Sequence, residues 1–183
     1  MGDTERLRVL AISGSLRRAS TNRAVIAAAA RIADGAYEVD TYDGLATIPP
    51  FNPDIDDTPA AVNSFRRAVD MSGAIIISSP EYAHGVPGVL KNALDWLVAS
   101  GEFIGKPVAV INASSRATHA WASLVETLRT MSADVVLDAS ITLPLDGRGP
   151  HADVILSDAS LAAPLAAALD ALVQAARRST RQT

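Results

Sequence analysis

Strand-like and helix-like segments alternate five times along the sequence, and this alternation constrains the fold more than any other feature. Uninterrupted apolar runs, such as residues 75–77 (Ile-Ile-Ile), are typical of strands that are buried on both faces. A helix between two strands is a crossover connection, so consecutive strands must run parallel. The sequence therefore predicts an α/β three-layer sandwich in which a five-stranded parallel sheet of order 2-1-3-4-5 lies between helices.

The whole chain is expected to form a single domain, residues 1–183, because its length and its apolar fraction of 49% suit one sizeable core. The predicted strands cover residues 7–12, 37–42, 75–77, 106–112 and 133–143, the last in one piece or two. The predicted helices cover residues 22–33, 58–71, 89–100, 117–131 and 157–178. A long irregular segment, residues 43–57, is typical of a functional loop.

Composition excludes several classes of function. The net charge of −4 and the absence of a long basic block argue against a nucleic-acid partner. There is no cysteine, and three scattered histidines lack metal-ligand spacing, so no metal site is predicted. The amino terminus lacks the apolar core of a signal peptide, and no apolar run reaches the roughly 18 residues of a membrane span. We therefore expect a cytoplasmic protein without a membrane partner.

The turn after the first strand, residues 13–22, combines hydroxyl, amide and guanidinium groups at the start of a helix. Its polar residues are Ser13, Ser15, Arg17, Arg18, Ser20, Thr21 and Asn22. A helix amino terminus carries unpaired N–H groups and partial positive charge, which suits a phosphate monoester. The turn matches neither a P-loop nor a Gly-x-Gly-x-x-Gly fingerprint. From these residues alone, a serine-capped helix with solvated arginines remains an equal alternative.

Two further polar turns follow the third and fourth strands, at residues 79–88 and 113–119. Strands 1, 3 and 4 are neighbours in the predicted sheet, so all three turns meet at its carboxyl edge, where ligands bind in such folds. A phosphate in the first turn and a flat ring between the other two describe a mononucleotide, and FMN is the natural candidate. Tyr82 or His84 would supply an aromatic wall, and backbone N–H groups of residues 82–85 would donate to the ring.

Two motifs resemble the signatures of the NADPH-dependent FMN reductase family, which has a flavodoxin-like fold and includes quinone, azo-dye and chromate reductases. They are Gly14-Ser15-Leu16-Arg17 with Ser20-x-Asn22, and Ser79-Pro80-Glu81-Tyr82-x-His84-Gly85-x-Pro87-Gly88-x-Leu90-Lys91-Asn92-x-Leu94-Asp95. The resemblance covers nearly the whole chain in element order and length. It implies that Ser15, Arg17, Ser20 and Asn22 bind the FMN phosphate. It implies that the ring is wrapped by Pro80, Glu81, Tyr82, Ala83, His84 and Gly85.

The chain departs from the family pattern at two places. Ala83 stands where the family commonly has asparagine, and Ser114-Ser115-Arg116 replaces a turn that is usually rich in glycine. Ser13, Thr21, Ser114, Ser115 and Arg116 complete the predicted cofactor site. Arg116 is a candidate for the phosphate of a pyridine nucleotide, and a surface arginine is the alternative.

The resemblance implies an NADPH-dependent oxidoreductase, with NADH also possible, that passes hydride through FMN to a small acceptor in a ping-pong reaction. The acceptor is a flavin, quinone, azo compound or metal oxyanion. The flavin carries this chemistry, so no catalytic side chain is predicted. A homodimer or homotetramer is expected, with helix 89–100 at a two-fold axis. A flavodoxin-type electron carrier and a non-enzymatic FMN-binding scaffold are the alternatives.

Overall fold

The computed structural model describes residues 6–181, which form one parallel sheet between two helical layers. The strands are β1 (Arg8–Ser13), β2 (Glu38–Tyr42), β3 (Ala74–Ser78), β4 (Pro107–Ile111) and β5 (Asp134–Val135). The helices are α1 (Thr21–Ala33), α2 (Ala60–Asp70), α3 (Gly88–Asp95), α4 (Thr118–Thr130), α5 (Ala152–Leu156) and α6 (Ala159–Thr180). All strand pairs are parallel and their order is β2-β1-β3-β4-β5, which confirms the predicted architecture.

The three central strands are buried on both faces, and their side chains alternate between two apolar cores. Val9 and Ile76 lie in the core beneath α1 and α6, whereas Ile12, Ile75 and Ile77 lie in the core beneath α2, α3 and α4. This alternation follows from the two-residue period of a strand. It explains why the sequence of β3 reads as a continuous apolar run.

The structure refines three predicted segments. The fifth strand is indeed in two pieces, because a 3₁₀ turn, Leu137–Ala139, interrupts it before Thr142 pairs with Asn112. The predicted helix 157–178 is α6, which begins two residues later because Asp158 caps it by accepting a hydrogen bond from the N–H of Ser160 at 2.9 Å, and the short helix α5 precedes it. The predicted helix 89–100 begins one residue earlier and ends at Asp95.

Among the described residues, α6 is the helix that is long and apolar enough to cross a membrane by length and composition. Its apolar side chains, including Leu165, Leu169 and Leu172, are buried in the core against the sheet. Packing against the sheet therefore accounts for the apolar side chains on the buried face of α6.

The loop after β2 is fastened to α3 through two side chains. The carbonyl oxygen of Pro49 accepts hydrogen bonds from Asn92 Nδ2 at 2.9 Å and from Trp96 Nε1 at 2.8 Å. Asn92 Oδ1 also accepts from the N–H of Phe51 at 2.7 Å, and the Phe51 ring packs edge-on against Trp96 with centroids 5.1 Å apart. These contacts hold the exposed Phe51 ring in a fixed position beside α3.

Candidate functional site

The carboxyl ends of β1 and β3 approach each other closely enough to exclude a side chain between them. The N–H of Gly14 donates to the carbonyl oxygen of Ser78 at 2.9 Å. A Cβ atom on Gly14 would lie 2.4 Å from Ser79 Oγ and 2.9 Å from Ser79 Cβ. Glycine is therefore required at position 14 to let the two polar turns meet at one edge of the sheet.

A groove of about 320 Å³ opens at the amino end of α1. Its walls include Ser15, Arg17, Ser20, Asn22 and Tyr82. Ser20 has extended backbone geometry (φ −132°, ψ 133°), its side chain does not cap α1, and the first turn of α1 contains no acidic residue. The positive end of the helix and its free N–H groups therefore face the groove, and this donor set fits a phosphate monoester.

Asn22 is held in one orientation by a residue on the neighbouring strand. The hydroxyl of Ser78, which is fully buried at the end of β3, donates to Asn22 Oδ1 at 3.0 Å. Within residues 6–181 the amide nitrogen of Asn22 makes no hydrogen bond, and Asn22 lines the groove. The side chain therefore presents its N–H donors to a ligand rather than its oxygen.

A second cleft of about 360 Å³ continues from this groove across the ends of β3 and β4. The two cavities share Thr21, Asn22 and Pro80 as walls, so they form one continuous depression. The second cleft is also lined by Ser79, Glu81, Asn112, Ala113, Ser114, Arg116 and Ala117. A phosphate end joined to a wider open cleft has the shape that a mononucleotide with a flat ring requires.

Glu81 connects the turn after β3 to the helix after β4. Its Oε2 atom accepts a hydrogen bond from the N–H of Ala120 in the first turn of α4 at 2.8 Å, and its Oε1 atom lies 3.1 Å from His84 Nδ1. The hydrogen bond from Ala120 lowers the pKa of Glu81 below its ordinary value of 4.5, and the contact with His84 acts in the same direction. Glu81 is therefore an ionised, inward-facing carboxylate that caps α4.

Residues 82–85 form a tight turn with two non-glycine residues in the left-handed region. Ala83 has φ 49° and His84 has φ 60°. The N–H groups of Tyr82 and Gly85 donate to each other's carbonyl oxygens at 3.0 and 2.9 Å. The turn itself uses both of these N–H groups. Among residues 82–85, therefore, only the N–H groups of Ala83 and His84 are available as donors to a ligand. The prediction that residues 82–85 supply N–H donors to a ring is therefore reduced from four candidate groups to two.

The turn after β4 is organised by an aspartate that lies in a distant loop. Asp146 accepts hydrogen bonds from Ser114 Oγ at 2.6 Å, from the N–H and the Oγ of Ser115 at 3.1 Å each, and from Arg116 at 3.3 Å. The Ser114 hydroxyl, followed by the Ser115 N–H, lowers the pKa of Asp146 from 3.8 to about 2. A compact charged turn thus stands where the family pattern has glycines.

The structure brings most of the predicted site residues to the continuous depression and places five of them elsewhere. Ser13 is buried, lines a separate cavity and accepts a hydrogen bond from the N–H of Ser15 at 3.3 Å. Ala83, His84 and Gly85 form the outer turn at the rim, and Ser115 faces Asp146 instead of the cleft. The remaining residues line the depression, and their assignment to one shared cofactor stays a prediction.

Sequence reasoning missed several residues at the site. Asn112 and Ala117 line the cleft, where Asn112 donates to the carbonyl oxygen of Ala117 at 3.0 Å. Gly149 and Pro150 close the phosphate end from a loop that lies far along the chain. Asn112 could have been predicted from the sequence, because it is a polar residue directly after a buried strand. Nothing in the local sequence around Asp146 or residues 149–150 indicated a role at the site.

The fold and the site together define this chain as a flavodoxin-like α/β protein with a mononucleotide-shaped depression at the carboxyl edge of its sheet. The family model for NADPH-dependent FMN reductase matches residues 7–146. The chain therefore belongs to the NADPH-dependent FMN reductase family, which confirms the resemblance carried by the two motifs. Membership supports FMN and a nicotinamide nucleotide as its cofactors.

Several relatives are named as quinone reductases or FMN reductases. The chain is 34% identical over 116 residues to a quinone reductase of Escherichia coli and 37% identical over 113 residues to an NAD(P)H-dependent FMN reductase of Pseudomonas aeruginosa. These alignments cover 61% and 60% of this chain and 62% and 60% of the two relatives. The chain thus matches about three fifths of the length of these curated relatives.

A solved structure matches the chain over nearly its full length. The flavoenzyme FerB of Paracoccus denitrificans, an NAD(P)H:(acceptor) oxidoreductase, superimposes with a TM-score of 0.78 at 26% identity. The superposition covers 94% of this chain and 98% of FerB. An NADH:FMN oxidoreductase, EmoB, has a TM-score of 0.67 at 21% identity, which is similarity of fold alone.

Proposed function

We propose that this chain, as a single domain, is an NAD(P)H-dependent oxidoreductase that binds FMN and reduces a small acceptor such as a quinone. The observation that carries the proposal is the continuous depression, which begins at the uncapped amino end of α1 and widens over the ends of β3 and β4. Family membership and the names of the relatives support the same reaction.

Each part of the depression has a distinct task in this proposal. The amino end of α1, with Ser15, Arg17, Ser20 and Asn22, binds the phosphate through backbone and side-chain donors. The free N–H groups of Ala83 and His84 donate to the polar edge of the ring. Electrostatic stabilisation by such fixed donors costs no reorganisation when charge develops.

The chemistry that bound FMN supplies is two-electron hydride transfer between a nicotinamide nucleotide and a second acceptor. The chain itself positions the ring and leaves one side of the cleft open for both partners in turn. Glu81 faces inward and is ionised, with its charge engaged by α4, so it is a positioning residue rather than a proton donor. No side chain is assigned as a catalytic acid or base.

The test is to add FMN to the purified protein, measure binding, and then add NADPH without oxygen. Bound flavin whose visible absorbance bleaches upon NADPH addition supports the proposal. Bound flavin that NADPH leaves oxidised would indicate an electron carrier or a non-enzymatic FMN-binding scaffold, and failure to bind flavin would refute the proposal. Arg17→Ala and Ser20→Ala should each raise the dissociation constant of FMN by about tenfold and that of riboflavin, which lacks the phosphate, much less.

We further propose that the protein assembles as a homodimer or homotetramer through α3 and the loop fastened to it. Phe51, Ile55 and Val98 are exposed apolar side chains in this region, and Asn92 and Trp96 hold the loop in place. An exposed apolar face suits a two-fold contact between two copies of the chain. Light scattering tests the proposal, and Val98→Asp should shift the protein toward the monomer.

We propose a cytoplasmic location, because the proposed reaction consumes NADPH and the cytoplasm supplies this nucleotide. Fractionation of cells that express the untagged chain would test the location. Recovery of the protein in a membrane or secreted fraction would contradict it.

A further inference from the structure

The charged side chains at the mouth of the cleft differ in their exposure to solvent. The two carboxylates near the mouth are engaged by other groups of the protein, Glu81 by the N–H of Ala120 and Asp146 by Ser114 and Ser115. The Arg116 guanidinium is the exposed charge, because its side chain is 85% exposed, whereas those of Glu81 and Asp146 are 12% and 30% exposed. A ligand approaching the open side therefore meets the Arg116 guanidinium before it meets either carboxylate.

Arg116 retains donors that no residue of the described chain uses. Its one side-chain contact is the 3.3 Å hydrogen bond from a terminal nitrogen to Asp146. A guanidinium has five N–H donors, so several remain free, and the Asp146 carboxylate also accepts hydrogen bonds from Ser114 and Ser115. Arg116 also lines the cleft itself, so these donors are available at the binding site.

We propose that Arg116, held in place by Asp146, makes this site selective for ligands that carry an anionic group. This inference rests on the proposed function and names the substrate class of the same site: acceptors that bear a sulfonate, carboxylate or phenolate next to their reducible ring. Arg116 contacts the anionic group. Asp146 is a positioning residue that fixes the turn of residues 114–116 through four hydrogen bonds.

The primary test measures binding to the oxidised, flavin-loaded protein in the absence of NADPH, so that no turnover occurs. Anthraquinone-2-sulfonate and the uncharged anthraquinone-2-sulfonamide form a pair with nearly the same shape. Calorimetry should show tighter binding of the sulfonate, and Arg116→Gln should reduce the ratio of the two affinities by about fivefold. The preference should also weaken as salt increases, because exposed charges are screened.

The matched control is Arg129→Gln. Arg129 is an exposed arginine in the last turn of α4, at the opposite end of this helix from the cleft. Its replacement removes the same charge from the chain as Arg116→Gln does. The sulfonate-to-sulfonamide ratio should not change in this variant. An equal change in both variants would overturn the proposal, because it would mean that net charge alone sets the preference.

Asp146→Ala tests the positioning role. It should reduce the sulfonate preference as much as Arg116→Gln, the double variant should show no further loss, and Asp146→Glu should restore part of the preference. A stronger sulfonate preference in Asp146→Ala would overturn the positioning role, because Asp146 would then act mainly by neutralising Arg116.

The phosphates of the nicotinamide nucleotide are a second source of the same anionic chemistry. If Arg116→Gln reduces the preference for NADPH over NADH in kcat/KM but leaves the sulfonate-to-sulfonamide ratio unchanged, selectivity for anionic acceptors is overturned. Flavin binding and bleaching by NADPH in the parent protein are measured separately. Their failure would refute the proposed function, whereas a flavin that bleaches without any charge preference would refute this inference alone.

Discussion

The carboxylate of Glu81 accepts a hydrogen bond from the N–H of Ala120 at 2.8 Å, which joins the turn after β3 to the amino end of α4. The same carboxylate contacts His84, whose ring packs edge-on against His119 with centroids 4.5 Å apart. One acidic side chain thus fixes the outer turn at residues 82–85 relative to α4. The two walls of the cleft are therefore mechanically coupled.

Removal of this carboxylate should weaken both α4 and the cofactor site. Glu81→Ala is expected to lower the free energy of unfolding in urea and to raise the dissociation constant of FMN by about three- to tenfold. Glu81→Gln keeps an acceptor oxygen for the N–H of Ala120 and should fall between the parent and Glu81→Ala. Glu126→Ala removes an exposed glutamate from the same helix and serves as the control. Equal effects of Glu81→Ala and Glu126→Ala would contradict the capping role.

The turn of residues 114–116 should lose its support in acid. The pKa of Asp146 is lowered from 3.8 to about 2, so its ionised form contributes stability that is complete above about pH 4 and is lost as the pH falls toward 2. The difference in unfolding free energy between the parent and Asp146→Asn should therefore be constant from pH 7 to 5 and shrink below pH 4. Asp138→Asn, an exposed aspartate, controls for surface charge. A difference that grows in acid would contradict this assignment.

The close approach of the first two turns makes position 14 intolerant of a side chain. Gly14→Ala would place a methyl group 2.4 Å from Ser79 Oγ and 3.1 Å from Leu90 Cδ2, and it should lower the free energy of unfolding by about 1–3 kcal/mol. Gly88→Ala is the matched control, because nothing lies within 4 Å of its added Cβ and alanine favours the helix. Urea unfolding of the two variants should separate them clearly. Equal stability would show that Ser79 moves away without cost.

The hydrogen bond from Ser78 to Asn22 should matter for a phosphate and little for the rest of a flavin. Ser78→Ala is expected to weaken FMN binding roughly fivefold, because the amide of Asn22 loses its fixed orientation. Riboflavin affinity should change much less. In the Asn22→Ala background, Ser78→Ala should have no further effect on FMN. Equal loss for FMN and riboflavin would instead indicate a general disturbance of the edge of the sheet.

The left-handed backbone at Ala83 should respond to residue type in a defined order. Asparagine adopts positive φ more readily than alanine, so Ala83→Asn should raise the free energy of unfolding by up to about 1 kcal/mol. A β-branched residue is strained there, so Ala83→Val should lower it by about 1–2 kcal/mol. Thermal or urea unfolding would measure both. If valine were tolerated as well as asparagine, the turn would have to change conformation in solution.

Local sequence patterns determined the architecture of this protein. The apolar runs of β1, β3 and β4 and the helical periods between them require a parallel sheet, because short-range patterns report burial and crossover connections directly. The hydroxyl and amide residues before α1 likewise predicted its polar groove. The boundaries of α3 and α6 were less accurate, since neighbouring segments and a single cap decide where a helix ends.

Only the tertiary structure decided how the walls of the cleft are held. Glu81 and Ala120 are 39 residues apart, and Asp146 lies 30 to 32 residues from the turn that it organises. Such contacts leave no periodic or compositional trace, because each depends on the relative positions of two strands and two loops. The folded sheet brings these segments to one edge, and that proximity converts an ordinary glutamate and an ordinary aspartate into the supports of the site.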